Sequence, residues 1–230
     1  MGHKTAIVTG YSSGLGEALT GELLQRGWFV VGVSRSTESE KLQRDFSDQL
    51  IPVHGSVDEQ VTADAAFAAA STNDCDLRLV INCAGVGVFG TVGGYSAKEI
   101  QAVVGSNLSG LILFSDHAAT ALRANGGHIV NIMSTAGKKL RPAESVYVAA
   151  KWGAKAYTRT LRDALKAEKA PVKVIEVYPG GMRTPFWTNA LRAPSDGAGF
   201  PAPEPIAVQI VNEIEENRAV YCQEFVFERS

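Results

Sequence analysis

Tyr147-Val148-Ala149-Ala150-Lys151 sets a phenol and an ammonium at i and i+4. On a helix that spacing puts both on one face. A free phenol, with a pKa of about 10, exchanges protons poorly near neutral pH. A neighbouring cation favours the phenolate and lowers that value, so Lys151 is expected to tune Tyr147 as a general acid/base. Ser134 closes the apolar run HIVNIMS and leaves a hydroxyl at its end. Asn107, in Ser106-Asn107-Leu108-Ser109-Gly110, is an amide in an otherwise apolar stretch. Buried there, it needs hydrogen-bond partners. A hydroxyl and a phenol can both donate to an oxygen that gains negative charge. The chemistry these residues offer is proton exchange with a substrate oxygen.

A second constellation lies near the start of the chain. Thr9-Gly10-Tyr11-Ser12-Ser13-Gly14-Leu15-Gly16 joins a β-branched run to a helical one. The G-x-x-x-G-x-G spacing gives a sharp turn, a close backbone approach and tight helix–strand packing. The helix start then offers free N–H groups and a partial positive charge to a pyrophosphate. Gly10, Ser12, Ser13, Gly14, Leu15 and Gly16 are therefore candidate nucleotide-binding residues. Ser34-Arg35 follows the next strand. An acid there would hold a ribose 2′-OH, whereas arginine accommodates a 2′-phosphate. The pair points to NADP(H) over NAD(H). Glu38 and Glu40, a little further on, keep NAD(H) use open.

These residues need elements to position them. Apolar runs read as strands at Thr5–Thr9, Phe29–Val33, Leu50–Val53, Leu79–Asn82, Ile129–Ile132, Val172–Val177 and Tyr221–Phe227. Helical periodicity covers 14–25, 58–70, 96–124, 145–169 and 204–217. Strands alternating with helices predict an α/β fold, a doubly wound parallel sheet of Rossmann type with helices on both faces. Ligands in such sheets bind beyond the strands' carboxyl ends. Gly10, Arg35, Asn82, Ser134 and Pro179 all fall there. Residues 180–205, with four Gly, five Pro, Phe186, Trp187 and Phe200, break the rhythm and read as a flap over substrate and cofactor.

Composition sets the outer bounds. The 230 residues, 45% hydrophobic and 20% charged, suit one folded domain over 1–230. A net charge of −2 argues against a nucleic-acid partner. The apolar runs are too short to span a membrane, and no signal-peptide pattern opens the chain, so the expected location is the cytoplasm. Three cysteines without C-x-x-C spacing and four scattered histidines give no reason to expect a disulfide framework or a metal.

Taken together, Thr9–Gly16, Asn82-Cys83-Ala84-Gly85, Asn107, Ser134, Tyr147/Lys151 and Pro179-Gly180 resemble the short-chain dehydrogenase/reductase family in order and spacing, over nearly the whole chain. The resemblance implies a single-domain carbonyl reductase. It implies that Tyr147 exchanges the proton and Ser134 bonds the substrate oxygen. Lys151 would hold the nicotinamide ribose and Asn107 would support a proton relay through it. Asn82, Ala84 and Gly85 would line the cofactor. Pro179, Gly180, Met182 and Thr184 would lie near the nicotinamide. A homodimer or homotetramer built on 96–124 and 145–169 is also implied. Cys83, Met133 and Ser56-Val57 depart from the family pattern, as does Tyr11, which would pack near adenosine or face solvent.

Val86, Phe89, Leu140, Met182, Phe186, Trp187 and Phe200 are candidates for an apolar substrate wall. Arg141 and Arg183 would serve an acidic substrate group or simply be solvated. The competing reading is an NADP(H)-binding redox sensor with little turnover. The Ser134, Tyr147, Lys151 and Asn107 set speaks against it, because a sensor needs only the nucleotide half.

Overall fold

The strands assemble into a seven-stranded parallel sheet, ordered β3-β2-β1-β4-β5-β6-β7. They are β1 (His3–Thr9), β2 (Phe29–Ser34), β3 (Leu50–His54), β4 (Cys75–Asn82), β5 (Gly127–Ile132), β6 (Val172–Pro179) and β7 (Glu224–Phe227). The computed structural model describes residues 2–35, 39–72, 75–216 and 220–228. Glu38 lies outside the described residues. The doubly wound, Rossmann-type sheet is the one predicted.

Successive strand residues point to opposite faces, and both faces are covered. Ala6, Val8, Leu79, Ile81, Val130, Ile132, Ile175 and Val177 belong to one core. That core is closed by α1 (Gly14–Gln25) and α8 (Glu204–Glu215), which pack on each other. Ile7, Val80, Ile129 and Val174 belong to the other. It is closed by α3 (Gln60–Ala69) and α5 (Gly110–Leu122). This two-sided burial explains why the strands read as continuous apolar runs.

Three elements differ from expectation. A short helix, α2 (Glu40–Asp45), is capped by Ser39, whose side chain accepts the Leu42 N–H. The stretch 96–124 is not one α-helix. It divides into α4 (Ala97–Val104), a π-helical turn at Gly105–Ser109, and α5. The last strand starts at Glu224 rather than Tyr221, and the Cys222 N–H is taken instead by the Glu213 carboxylate at 2.7 Å.

The sheet's winding reverses between β1 and β4, which are neighbours with Thr9 opposite Asn82. The Thr9 hydroxyl accepts the N–H groups of Cys83 (3.0 Å) and Ala84 (3.1 Å). That stitch fixes the two loops that open at the switch point. The long α6 (Ser145–Ala167) follows the loop after β5. Residues 180–205 fold back over the carboxyl edge and include the single-turn α7 (Phe186–Asn189). Trp187 Nε1 donates to the Met182 carbonyl at 2.9 Å. Among the described residues no helix is long and apolar enough to cross a membrane.

Candidate active site

A cleft of about 350 Å³ runs along the carboxyl edge of the sheet. Its walls include Gly10, Ser12, Ser13, Gly14, Leu15 and Gly16 from the first turn, and Ser34 and Arg35 from the end of β2. They also include Ala84, Gly85, Asn107, Ser134, Tyr147 and Lys151, then Pro179, Gly180, Met182 and Thr184. Residues separated by most of the chain thus meet in one groove, as the positions after strand ends predict.

The glycine turn is built for a group pressed against backbone. Gly14 sits at φ +56°, and a Cβ there would stand 3.0 Å from the Thr184 side chain. A Cβ on Gly16 would come within 2.1 Å of the Gly10 carbonyl oxygen. Ser13 precedes α1 without a capping side-chain hydrogen bond. The helix's first N–H groups are therefore left for a ligand. Arg35 is exposed at the other end of this wall. These features fit a nicotinamide dinucleotide. The glycines would give its pyrophosphate room, the helix start would supply donors, and Arg35 would supply a cation at its adenosine end.

At the opposite end, Ser134 leaves β5 in extended backbone and accepts the Ala136 N–H at 3.1 Å. Its hydroxyl lies beside the Tyr147 phenol and favours the ionised form. Tyr147 and Lys151 lie one turn apart on α6, and both are buried. Lys151 Nζ donates to the Ile132 carbonyl at 3.0 Å. Burial holds the Lys151 ammonium down, to about 8. Burial also pushes the Tyr147 phenol up, to about 12, against the opposing effect of the Ser134 side chain. The charges acting on the phenol are Glu144, Arg141 and Cys83. The sequence pointed to a phenol made acidic by Lys151. In the protein alone desolvation dominates: burial penalises phenolate more than Ser134 and Arg141 favour it, and Glu144 and Cys83 add to the penalty.

Asn107 sits inside the π-helical turn, a device that often marks a functional position. Its Nδ2 donates to the carbonyls of Val86 (2.8 Å) and Val103 (3.0 Å). Its Oδ1 is buried without a hydrogen-bond partner among the described residues. That oxygen faces Gly85, where a Cβ would stand 2.7 Å from it and 3.9 Å from Lys151 Nζ.

Other assignments shift. Asn82 does not line the cleft. Its amide donates to Asn131 Oδ1 (2.7 Å) and Ser115 Oγ (2.9 Å), and Asn131 passes the network to Thr158 at 2.8 Å. Asn82 therefore braces the strand end that carries Ala84 and Gly85. Tyr11 is fully buried, its ring lying where a Gly32 side chain would be. Asp58 accepts the Ser56 hydroxyl, and Val57 lines the cleft. Leu140 is exposed, and neither it nor Phe200 is part of the wall. Phe200 instead packs on Trp187, with ring centroids 5.1 Å apart. Arg183 is exposed and its side chain stays outside the cleft. Glu40 opens α2 and is likewise outside the wall.

Val86, Phe89, Phe186 and Trp187 do form wall beside Tyr147. Arg141 joins them, donating to Thr135 Oγ1 (3.0 Å) and Glu144 Oε1 (3.2 Å). Thr135 and Glu144 went unnoticed in the sequence. Their one signal was their place just after Ser134 and just before the Tyr147 helix.

Comparison with known proteins gives a consistent picture. The short chain dehydrogenase family model matches residues 4–194. Farnesol dehydrogenase of Aedes aegypti is 33% identical over 194 residues, 79% of this chain and 78% of its own. Trans-4-hydroxycyclohexanecarboxylate dehydrogenase of Sinomonas cyclohexanicum is 29% identical, over 82% of this chain and 76% of its own. In fold, the chain superposes on an alcohol dehydrogenase from Thermococcus sibiricus complexed with 5-hydroxy-NADP. The TM-score is 0.86 at 23% identity, over 99% of both chains. A Burkholderia phymatum relative in complex with NAD gives 0.87 at 22% identity, over 97% of this chain and 89% of its own.

Proposed function

The chain belongs to the short-chain dehydrogenase family, and on that premise we propose that it moves a hydride between NADP(H) and a carbonyl or alcohol substrate. The observation that carries this reading is the meeting of Ser134, Tyr147, Lys151 and Asn107 with the glycine turn in one cleft. A bound nicotinamide supplies or accepts the hydride.

The chain's own residues bind, orient and move the proton. Gly10, Ser12, Ser13, Gly14, Leu15 and Gly16 hold the pyrophosphate against the start of α1. Ser34 and Arg35 hold the 2′-phosphate, the guanidinium matching it as a fork. Ala84, Gly85, Pro179, Gly180, Met182 and Thr184 line the remainder. Tyr147 gives its phenolic proton to the substrate oxygen in reduction and takes it back in oxidation. Ser134 donates to the same oxygen and stabilises the charge it gains. Lys151 keeps a cation beside the ribose end, and the Asn107 oxygen, which has no partner among the described residues and lies against Gly85, serves as the relay group. The segment 180–205 serves as the flap that shields this exchange from water.

Relatives named for alcohol oxidation support the reaction class. A homodimer or homotetramer, located in the cytoplasm, fits the proposal. The test is NADPH absorbance against a panel of ketones, aldehydes and quinones. Consumption with at least one of them is expected. Tight NADPH binding with no consumption across the panel would replace the enzyme by a nucleotide sensor.

A further inference from the structure

One residue ties the middle of the flap to the opposite wall of the cleft. Arg192 stands at φ +55°, a left-handed backbone that residues other than glycine rarely adopt. Three groups hold its guanidinium. Nε donates to the Phe89 carbonyl at 2.6 Å, and Nη1 donates to Glu99 Oε1 at 2.7 Å. The Tyr95 ring centroid lies 5.8 Å from Cζ. Gly90 leaves room for the guanidinium, since a Cβ there would stand 3.3 Å from Nε.

Glu99 is itself fixed. Its other oxygen accepts the Ser96 N–H (2.7 Å) and hydroxyl (2.9 Å), closing the capping box of α4. These bonds, that from Arg192 foremost, hold its carboxyl down, to about 2. The tie therefore persists through any ordinary assay pH. The backbone continues it: the Phe89 N–H donates to the Leu191 carbonyl (3.0 Å), and the Leu191 N–H to that of Gly87 (3.1 Å).

What the tie sets is an aromatic wall. Phe89 stacks on Trp187 with centroids 5.9 Å apart and stands 6.2 Å from the Tyr147 ring. Phe186 lies 6.0 Å from Tyr147 and 6.4 Å from Phe89. All three wall rings border the cleft beside Tyr147. Arg192 is not among the cleft's lining residues, so it acts through them.

We propose that Arg192 is a positioning residue that sets substrate choice, pinning the flap to the Phe89 loop so that the rings grip a flat apolar carbonyl compound. This rests on the carbonyl-reducing reading of the cleft. The rings make a surface for aryl or cyclic bodies, whereas a small aliphatic ketone has little to lay against them.

The experiment compares wild type with Arg192→Ala, Arg192→Gly, Arg192→Lys and Glu99→Gln. It reads kcat and KM for acetophenone and for acetone, and amide exchange at Phe89 and Leu191 without substrate. Arg192→Ala is expected to raise KM for acetophenone about tenfold, with kcat changed less than about threefold and the acetone constants nearly unchanged. Exchange at both amides should quicken. Arg192→Gly removes the backbone strain yet should behave alike, which assigns the effect to the guanidinium. Arg192→Lys keeps the charge without the fork and should recover only part. Glu99→Gln should fall between wild type and Arg192→Ala. Equal losses for both ketones, or unchanged KM with unchanged exchange, would overturn the proposal. If wild type reduces neither ketone, substrate choice falls as well. Quickened exchange in Arg192→Ala then traces the failure to the carbonyl-reducing reading, and unchanged exchange traces it to the tie.

Discussion

Lys151 and Ile132 are joined by a hydrogen bond that carries the lysine past the tyrosine it accompanies. Nζ reaches the Ile132 carbonyl at 3.0 Å and lies 5.7 Å from the centre of the Tyr147 ring. The ammonium is thereby satisfied by the end of β5. The phenol's polar neighbour is Ser134, from the loop that follows. Each group meets its own desolvation, and the two shifts run in opposite directions, both toward the neutral form.

A pH dependence of stability follows from Lys151. Its folded pKa, about 8, lies below the ordinary 10.5. Between those values the unfolded chain holds more protons on this lysine than the folded one does. Stability therefore rises with pH across that window, and the full cost of the buried charge is present below it. Tyr147, pushed up to about 12, stays protonated throughout. Urea unfolding of the cofactor-free protein at pH 7.5 and 9.5 should show this rise relative to Lys151→Met. Identical slopes for the two proteins would remove the assignment.

Tyr147→Phe isolates the hydroxyl, because the ring contacts with Phe89 and Phe186 survive. A lost general acid/base costs about 10²-fold or more in kcat. That loss is expected, while NADPH affinity should hold within about threefold, since the oxygen and not the ring is removed. Turnover near wild type would show that another group moves the proton.

Arg35 should decide between the two nicotinamide cofactors. It is exposed at the end of β2 and lines the cleft. A charge-assisted hydrogen bond is worth about 1.5–3 kcal/mol. Arg35→Ala should then lower kcat/KM for NADPH by about 10- to 100-fold and leave NADH within about twofold. A wild type that uses both equally would remove the role given to this side chain.

The groove was legible where motif residues sit directly after a strand, because a parallel strand's end and its turn are local features. Gly14 and Ser134 needed no distant information, and Tyr147 needed only its i, i+4 spacing to Lys151 on one helix. Asn82 shows where such reading stops. Its position at the end of β4 suits a ligand, yet its amide is claimed by Asn131 and Ser115 from β5 and α5. A pairing between separate elements leaves no local trace. The same holds for the π-helical turn, which depends on the Asn107 amide taking carbonyls at Val103 and Val86. Helical periodicity alone ran straight through it. Leu140 and Phe200 were apolar for different reasons, one exposed and one packed on Trp187, and hydrophobicity does not separate these.

The C-terminal edge of the sheet offers a stability contrast. Glu176 is fully buried on β6, and Arg159 (3.1 Å), Arg162 (2.9 Å) and the Tyr178 hydroxyl converge on it. Arg159 also reaches Glu224 on β7 at 2.9 Å. Removing one partner of a buried ion pair strands the other, at about 3 kcal/mol or more. Glu176→Gln should lose about that much in urea unfolding at pH 7. Glu224 is a third exposed, where ion pairs contribute about 0–1 kcal/mol, so Glu224→Gln should cost under about 1 kcal/mol. Because both carboxylates contact Arg159, the double variant should lose less than the sum of the singles. Equal losses at the two positions would mean that burial does not set the strength of this network.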